Sequence, residues 1–112
     1  MVALPLEISR GIVDSLRPLD PRRIVLFGSR AQGETVHPDS DIDLVVVLGQ
    51  AGRPRDYREK MANTLAVRRS LREINRAFSL DTLVFTEEEW EEFQRRRPEF
   101  ADEIVRTGIV LA

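Results

Sequence analysis

The sequence predicts an α/β (α+β) fold, a small mixed β-sheet with helices packed mainly on one face. Two observations lead there. Short apolar, β-branched runs, Val25-Leu26-Phe27 and Leu44-Val45-Val46-Val47, have the composition of strands buried on both faces. Around them lie longer segments in which apolar residues recur at helical spacing, bounded by proline, glycine or capping residues.

Taken in order, residues 5–17 read as a first helix. Pro5 suits an initial turn, Glu7 sits near the positive end of the dipole, and Ile8, Ile12, Val13 and Leu16 share one side. Pro18 and Pro21 end it, and residues 22–28 form the first strand, followed by a brief helix over 29–33. Residues 34–39 are turn-rich and carry the single histidine, His37, read as a solvated loop residue. Residues 41–48 form the second strand, and a loop with Arg53 and Arg55 follows it.

The longest helix is expected from 56 to about 75. Tyr57, Met61, Leu65, Leu71 and Ile74 supply its apolar stripe, and its many arginines form a solvated basic face. A third strand spans 78–86 and is interrupted by Asp81. Thr86-Glu87-Glu88-Glu89 is a capping box that opens a helix carrying Trp90 and Phe93, with Arg95-Arg96-Arg97 at its dipole-favoured end. Pro98 opens a last helix with Phe100, Ile104 and Val105 on its apolar side. Gly108 stops it, and Ile109-Val110-Leu111 forms a short edge strand.

Composition bounds the function. A chain of 112 residues suits a single domain over 1–112 with a sizeable core, and is short for a two-lobed enzyme. A formal net charge of -2 supplies no sequence-wide basic footprint, so direct nucleic-acid binding is not expected. With no cysteine, neither a disulfide framework nor a zinc-thiolate site can form. No segment reads as a leader or reaches membrane-spanning length, so a cytoplasmic protein without membrane association is expected.

The chemistry gathers in two stretches. Asp41 and Asp43, two residues apart at a strand's start, project to the same side while Ile42 points the other way. Two carboxylates beside a valine run repel and resist burial unless a cation lies between them, and oxygen-only ligands favour magnesium or manganese. Upstream, Gly28-Ser29 follows a strand directly: glycine lets the backbone approach a ligand, and Ser29 adds a hydroxyl donor for an anion. Asp81, in an otherwise apolar strand, is costly to leave unpaired.

Gly28-Ser29-Arg30-Ala31, Gly33 and Ser40-Asp41-Ile42-Asp43-Leu44 together resemble the signature of the nucleotidyltransferase superfamily that includes DNA polymerase beta. The chain is most similar to the minimal nucleotidyltransferases of prokaryotes. The resemblance implies a nucleotidyltransferase fold and transfer of a nucleoside monophosphate, AMP from ATP, with release of pyrophosphate. It assigns Asp41, Asp43 and Asp81 to catalysis and to two magnesium ions, with manganese as the alternative, and Gly28 and Ser29 to the β/γ-phosphates. Arg30 is left between phosphate and a nearby acid. It also implies that base and acceptor are gripped by another chain or by a second copy in a homo-oligomer. The partner it suggests is a HEPN-type toxin, neutralised as by an antitoxin through AMP transfer. Two other readings stand beside it: a catalytically silent module that neutralises by contact, and a transferase acting on a small molecule such as an aminoglycoside.

Overall fold

The computed structural model describes residues 4–32 and 41–112. The elements are α1 (Leu6–Leu16), β1 (Pro21–Phe27), α2 (Ser29–Gln32), β2 (Ile42–Leu48), α3 (Tyr57–Ser70), α4 (Arg72–Ala77), β3 (Leu80–Thr86), α5 (Glu87–Arg96), α6 (Pro98–Thr107) and β4 (Ile109–Val110). A 3-10 turn, Arg17–Leu19, closes α1 where Pro18 removes a backbone donor. The strands form one mixed sheet in the order β3-β2-β1-β4. β1 runs antiparallel to both β2 and β4, whereas β3 runs parallel to β2. The parallel pair requires a crossover, and α3 with α4 provides it.

Alternation along the strands sorts their side chains onto two faces. Ile24 and Leu26 of β1 with Ile42, Leu44, Val46 and Leu48 of β2 pack against Ile12 and Leu16 of α1, Val67 of α3 and Leu71. This is the larger apolar cluster and holds most of the helical cover. Val25, Val45 and Val47 face the other way, where Trp90 of α5 and Ile104 of α6 close a smaller cluster with Phe27, Leu83, Phe85 and Phe93. Helices thus lie on both faces, with the thicker layer on one, as the mixed-sheet fold requires of strands apolar on both sides.

The structure departs from the sequence reading along the crossover. Instead of one helix to residue 75, Leu71 leaves helical geometry (φ -97°, ψ 9°) between α3 and α4. The i to i−4 bonds continue through it: Leu71 N–H donates to the Val67 carbonyl at 3.1 Å, and Asn75 N–H to the Leu71 carbonyl at 2.9 Å. The kink leaves Leu71 buried in the larger cluster. The buried stripe also differs, because Tyr57 is 75% exposed and Leu65 lies on the surface, while Asn63 and Val67 are buried. A polar Asn63 gave no apolar signal to follow. Its Oδ1 accepts a bond from Gln50 at 3.2 Å, and its Nδ2 has no partner among the described residues.

Lys60 ties the two layers together around the sheet edge. Its ammonium donates to the Val84 carbonyl of edge strand β3, pairs with Glu89 of α5 at 2.9 Å and lies 5.2 Å from the Phe85 ring centre. A charged group on an outer strand carbonyl also blocks pairing with another chain. The capping box is present: Thr86 Oγ1 accepts from the Glu89 N–H at 3.3 Å, and Glu89 Oε1 accepts from the Thr86 N–H at 2.9 Å. Gly108 lets α6 turn sharply into β4, since a Cβ there would strike the Ile104 carbonyl and sit 2.7 Å from Val25 Cγ1.

Candidate active site

The register places three residues in one row across the sheet end. Phe27 pairs with Asp43 between β1 and β2, and Asp43 pairs with Asp81 between β2 and β3. The row beneath is Val25, Val45 and Leu83, all members of the smaller cluster. Alternation therefore puts Asp43 and Asp81 on that cluster's face of the sheet, one step beyond its apolar rows. Asp41 immediately precedes β2 and is exposed, as is Asp81, while Asp43 is half-buried.

Asp43 is where the electrostatics concentrate. Burial is the first cause that raises its pKa above the ordinary carboxylate range, the charge of Asp81 the second and that of Asp41 the third. Asp43 thus senses both of the other carboxylates at one end of the sheet. Among the described residues, no three side chains of ligand type converge closely enough to hold a metal ion unaided. The donor set nevertheless suits magnesium, which takes one or two carboxylates and completes its octahedron with water and phosphate oxygens.

Gly28 completes the neighbourhood. Its φ of +78° is a left-handed conformation that side-chain-bearing residues rarely adopt. A Cβ added there would collide with Asp43 Oδ2. The turn at the end of β1 is therefore built against the carboxylate, and only glycine satisfies both the backbone angle and the space. Ser29 follows as the first residue of α2, and the Ala31 N–H donates to the Gly28 carbonyl at 3.1 Å to start that short helix.

Arg30 follows Ser29 in α2. It is buried, with its guanidinium 5.7 Å from the centre of the Phe78 ring, and Phe78 packs on the larger apolar cluster. Gly33, His37 and Ser40 lie outside the described residues. Of the arginines read from the loop after β2, Arg53 pairs with Glu88 at 3.3 Å and Glu92 at 3.0 Å of α5, and Arg55 with Glu59 at 2.9 Å. These pairs tie the loop to its neighbouring helices.

One neighbour of the row escaped the sequence reading. Helical spacing places Phe100 on the apolar side of α6, yet it stays 41% exposed, with its ring centre 6.4 Å from that of Phe27. Its sequence neighbours carried no sign of this. The relevant neighbour, Phe27, is fixed by strand register.

Residues 6–110 match the family model described as the nucleotidyltransferase domain. Among solved structures, a toxin-antitoxin with AMP-PNP is 24% identical with a TM-score of 0.57, over 93% of this chain and 72% of that one. The toxin-antitoxin MntA-HpeT, in a variant with two aspartates changed to glutamate, is 21% identical with a TM-score of 0.53, again over 93% and 72%. At these identities the likeness is one of fold. Among curated proteins none matches the chain.

Proposed function

Because the chain belongs to the nucleotidyltransferase domain family, we propose that it transfers AMP from ATP onto a protein partner, a HEPN-type toxin, and so acts as the antitoxin of the pair. Asp43 carries this reading. It is a half-buried carboxylate, in register with Asp81, near Asp41, and pressed by a positive-φ glycine whose missing side chain leaves it room. A cation held between these carboxylates would offset the repulsion that raises the Asp43 pKa.

In this reading an acceptor hydroxyl attacks the α-phosphorus, forming a new P–O bond while the bond to the β-phosphate oxygen breaks and pyrophosphate leaves. Asp41, Asp43 and Asp81 would hold one or two divalent ions, magnesium or manganese, whose charge offsets that of the phosphates and the leaving group. Asp81, the exposed outer member of the row, stands at the acceptor side and takes the hydroxyl proton. Gly28 lets the backbone approach the β/γ-phosphates, and the Ser29 hydroxyl donates to them. Arg30, which also lies over Phe78, pairs with phosphate or with a nearby acid. Adenine as the base draws support from the structural neighbour crystallised with AMP-PNP, an ATP analogue, and a toxin as partner from both toxin-antitoxin neighbours.

The test is label transfer from α-labelled ATP with magnesium, using this chain together with the product of the adjacent gene. Label on the partner, lost in the D41N/D43N double variant, is the expected result. A stable complex that forms and neutralises equally well without label in either sample would replace transfer by contact. Label on an aminoglycoside without any protein partner would move the acceptor to a small molecule.

A further inference from the structure

Phe100 stands at a boundary that the proposed transfer chemistry leaves unassigned. On one side its ring borders a cavity of about 190 Å³ shared with Phe27, Gly28 and Thr107. On the other it borders a wider cavity of about 430 Å³ shared with Leu83, Phe93 and Arg97. Gly28 marks the end assigned to phosphate, and Leu83 lies two residues along β3 from Asp81, so both cavities open beside the carboxylate row. Edge-to-face contacts fix the ring at 6.4 Å from Phe27 and 5.6 Å from Phe93, yet 41% of the residue remains exposed. A held but half-bare aromatic face is well suited to stack on another ring.

We propose that Phe100 is the stacking platform for the nucleobase of the donor nucleotide, with the base lying in the wider cavity. This rests on the reading of the carboxylate row as the nucleotidyl-transfer site. A nucleotide whose triphosphate lies along Gly28 and Asp43 must place its base within a ribose's reach of that row. Phe100, packed against the Phe27 that pairs with Asp43, is a partly exposed aromatic face beside that row. The cavity also offers a polar edge: the Arg97 guanidinium can donate to ring nitrogens, whereas the Glu89 and Glu92 carboxylates on its wall are already paired with Lys60 and Arg53. Arg96 is engaged with Glu92 at 2.8 Å, which holds that carboxylate at the cavity wall.

The test compares ATP with inorganic tripolyphosphate, which has the charge and no base, on the full chain with magnesium. The F100A variant should bind ATP about tenfold more weakly and tripolyphosphate unchanged, the loss typical of one base–aromatic stack. F100L, which keeps apolar volume without a flat ring, should lose nearly as much ATP affinity while melting like the wild type. In F100W, the introduced indole should be quenched by ATP and not by tripolyphosphate. Equal ATP affinity in F100A and wild type, or equal loss for both ligands, would overturn the platform while leaving the phosphate site standing. Unchanged ATP affinity with lost labelling of the partner would likewise overturn it, because the ring would then serve the acceptor. A wild type that binds neither ligand, alone or with its partner, would sink both the platform and the transfer reading on which it rests.

Discussion

At the scale of single residues, the contact between Gly28 and Asp43 sets the geometry. The G28A variant must strain a φ of +78° and displace the Asp43 carboxylate at once. A cost of about 1–3 kcal/mol in unfolding free energy is expected, together with loss of label transfer. Denaturant melts of the two proteins check the first, and wild-type stability in G28A would remove glycine's structural necessity there. Asp43 makes a second prediction. Its carboxyl titrates above the ordinary range because of burial, Asp81 and Asp41, so the folded chain binds that proton more tightly than the unfolded chain. Its ionisation therefore lowers stability as pH rises through the raised value, and that penalty disappears below the ordinary carboxylate range. In chelator at neutral pH, D43N should melt above wild type, with the gap closing as the pH is lowered below that range. Added magnesium should raise the wild type more than the variant. Melting curves that coincide at every pH would contradict the electrostatic account. The Asp-x-Asp spacing and the odd charge at Asp81 are both legible in the sequence, because strand alternation turns spacing directly into shared direction. The exposure of Phe100 is not, because it depends on which strand residue α6 crosses.

At the scale of elements, the strands and the caps read well while the crossover does not. The bounds of β1, β2 and α5 follow local chemistry: proline and glycine at the ends, a valine run, and Thr86 with Glu89 at opposite ends of one turn. T86A removes the cap acceptor for the Glu89 N–H and should cost about 1 kcal/mol, measured by chemical denaturation. A variant as stable as wild type would mean that the reciprocal Glu89 bond to the Thr86 N–H suffices. The crossover reads poorly because its burial is decided by partners distant in sequence. Asn63 goes inside to meet Gln50, Leu71 bends the backbone to stay inside, and Tyr57 is left out, none of which a periodic count over 56–75 can register. Lys60 is similar. In sequence it is one more cation on a basic face, and in the fold it closes a strand edge against Val84 and Glu89.

At the scale of the whole molecule, the two apolar layers divide the work. The thicker layer under α1, α3 and α4 anchors the sheet, and the thinner layer under α5 and α6 reaches Phe27 in the last row while leaving Asp43 half-buried and Asp81 exposed. That partly open end leaves room for the proposed site, since a carboxylate one step further in would sit among Val45, Leu83 and Trp90. The mixed sheet was legible from alternating segment types, and the parallel pairing of β2 with β3 follows from the helical crossover between them. The second helical layer was less so, because strands apolar on both faces say that cover exists without saying which helix supplies it. Among the described residues no helix is long and apolar enough to cross a membrane. The most direct test of the central claim is to offer the chain and its partner α-labelled and γ-labelled ATP side by side, with the D41N/D43N variant as control. The partner should keep the α label, the γ label should leave in pyrophosphate, and the variant should do neither. Retention of the γ label on the partner would mean phosphoryl rather than nucleotidyl transfer, and wild-type labelling by the double variant would place the chemistry away from these carboxylates.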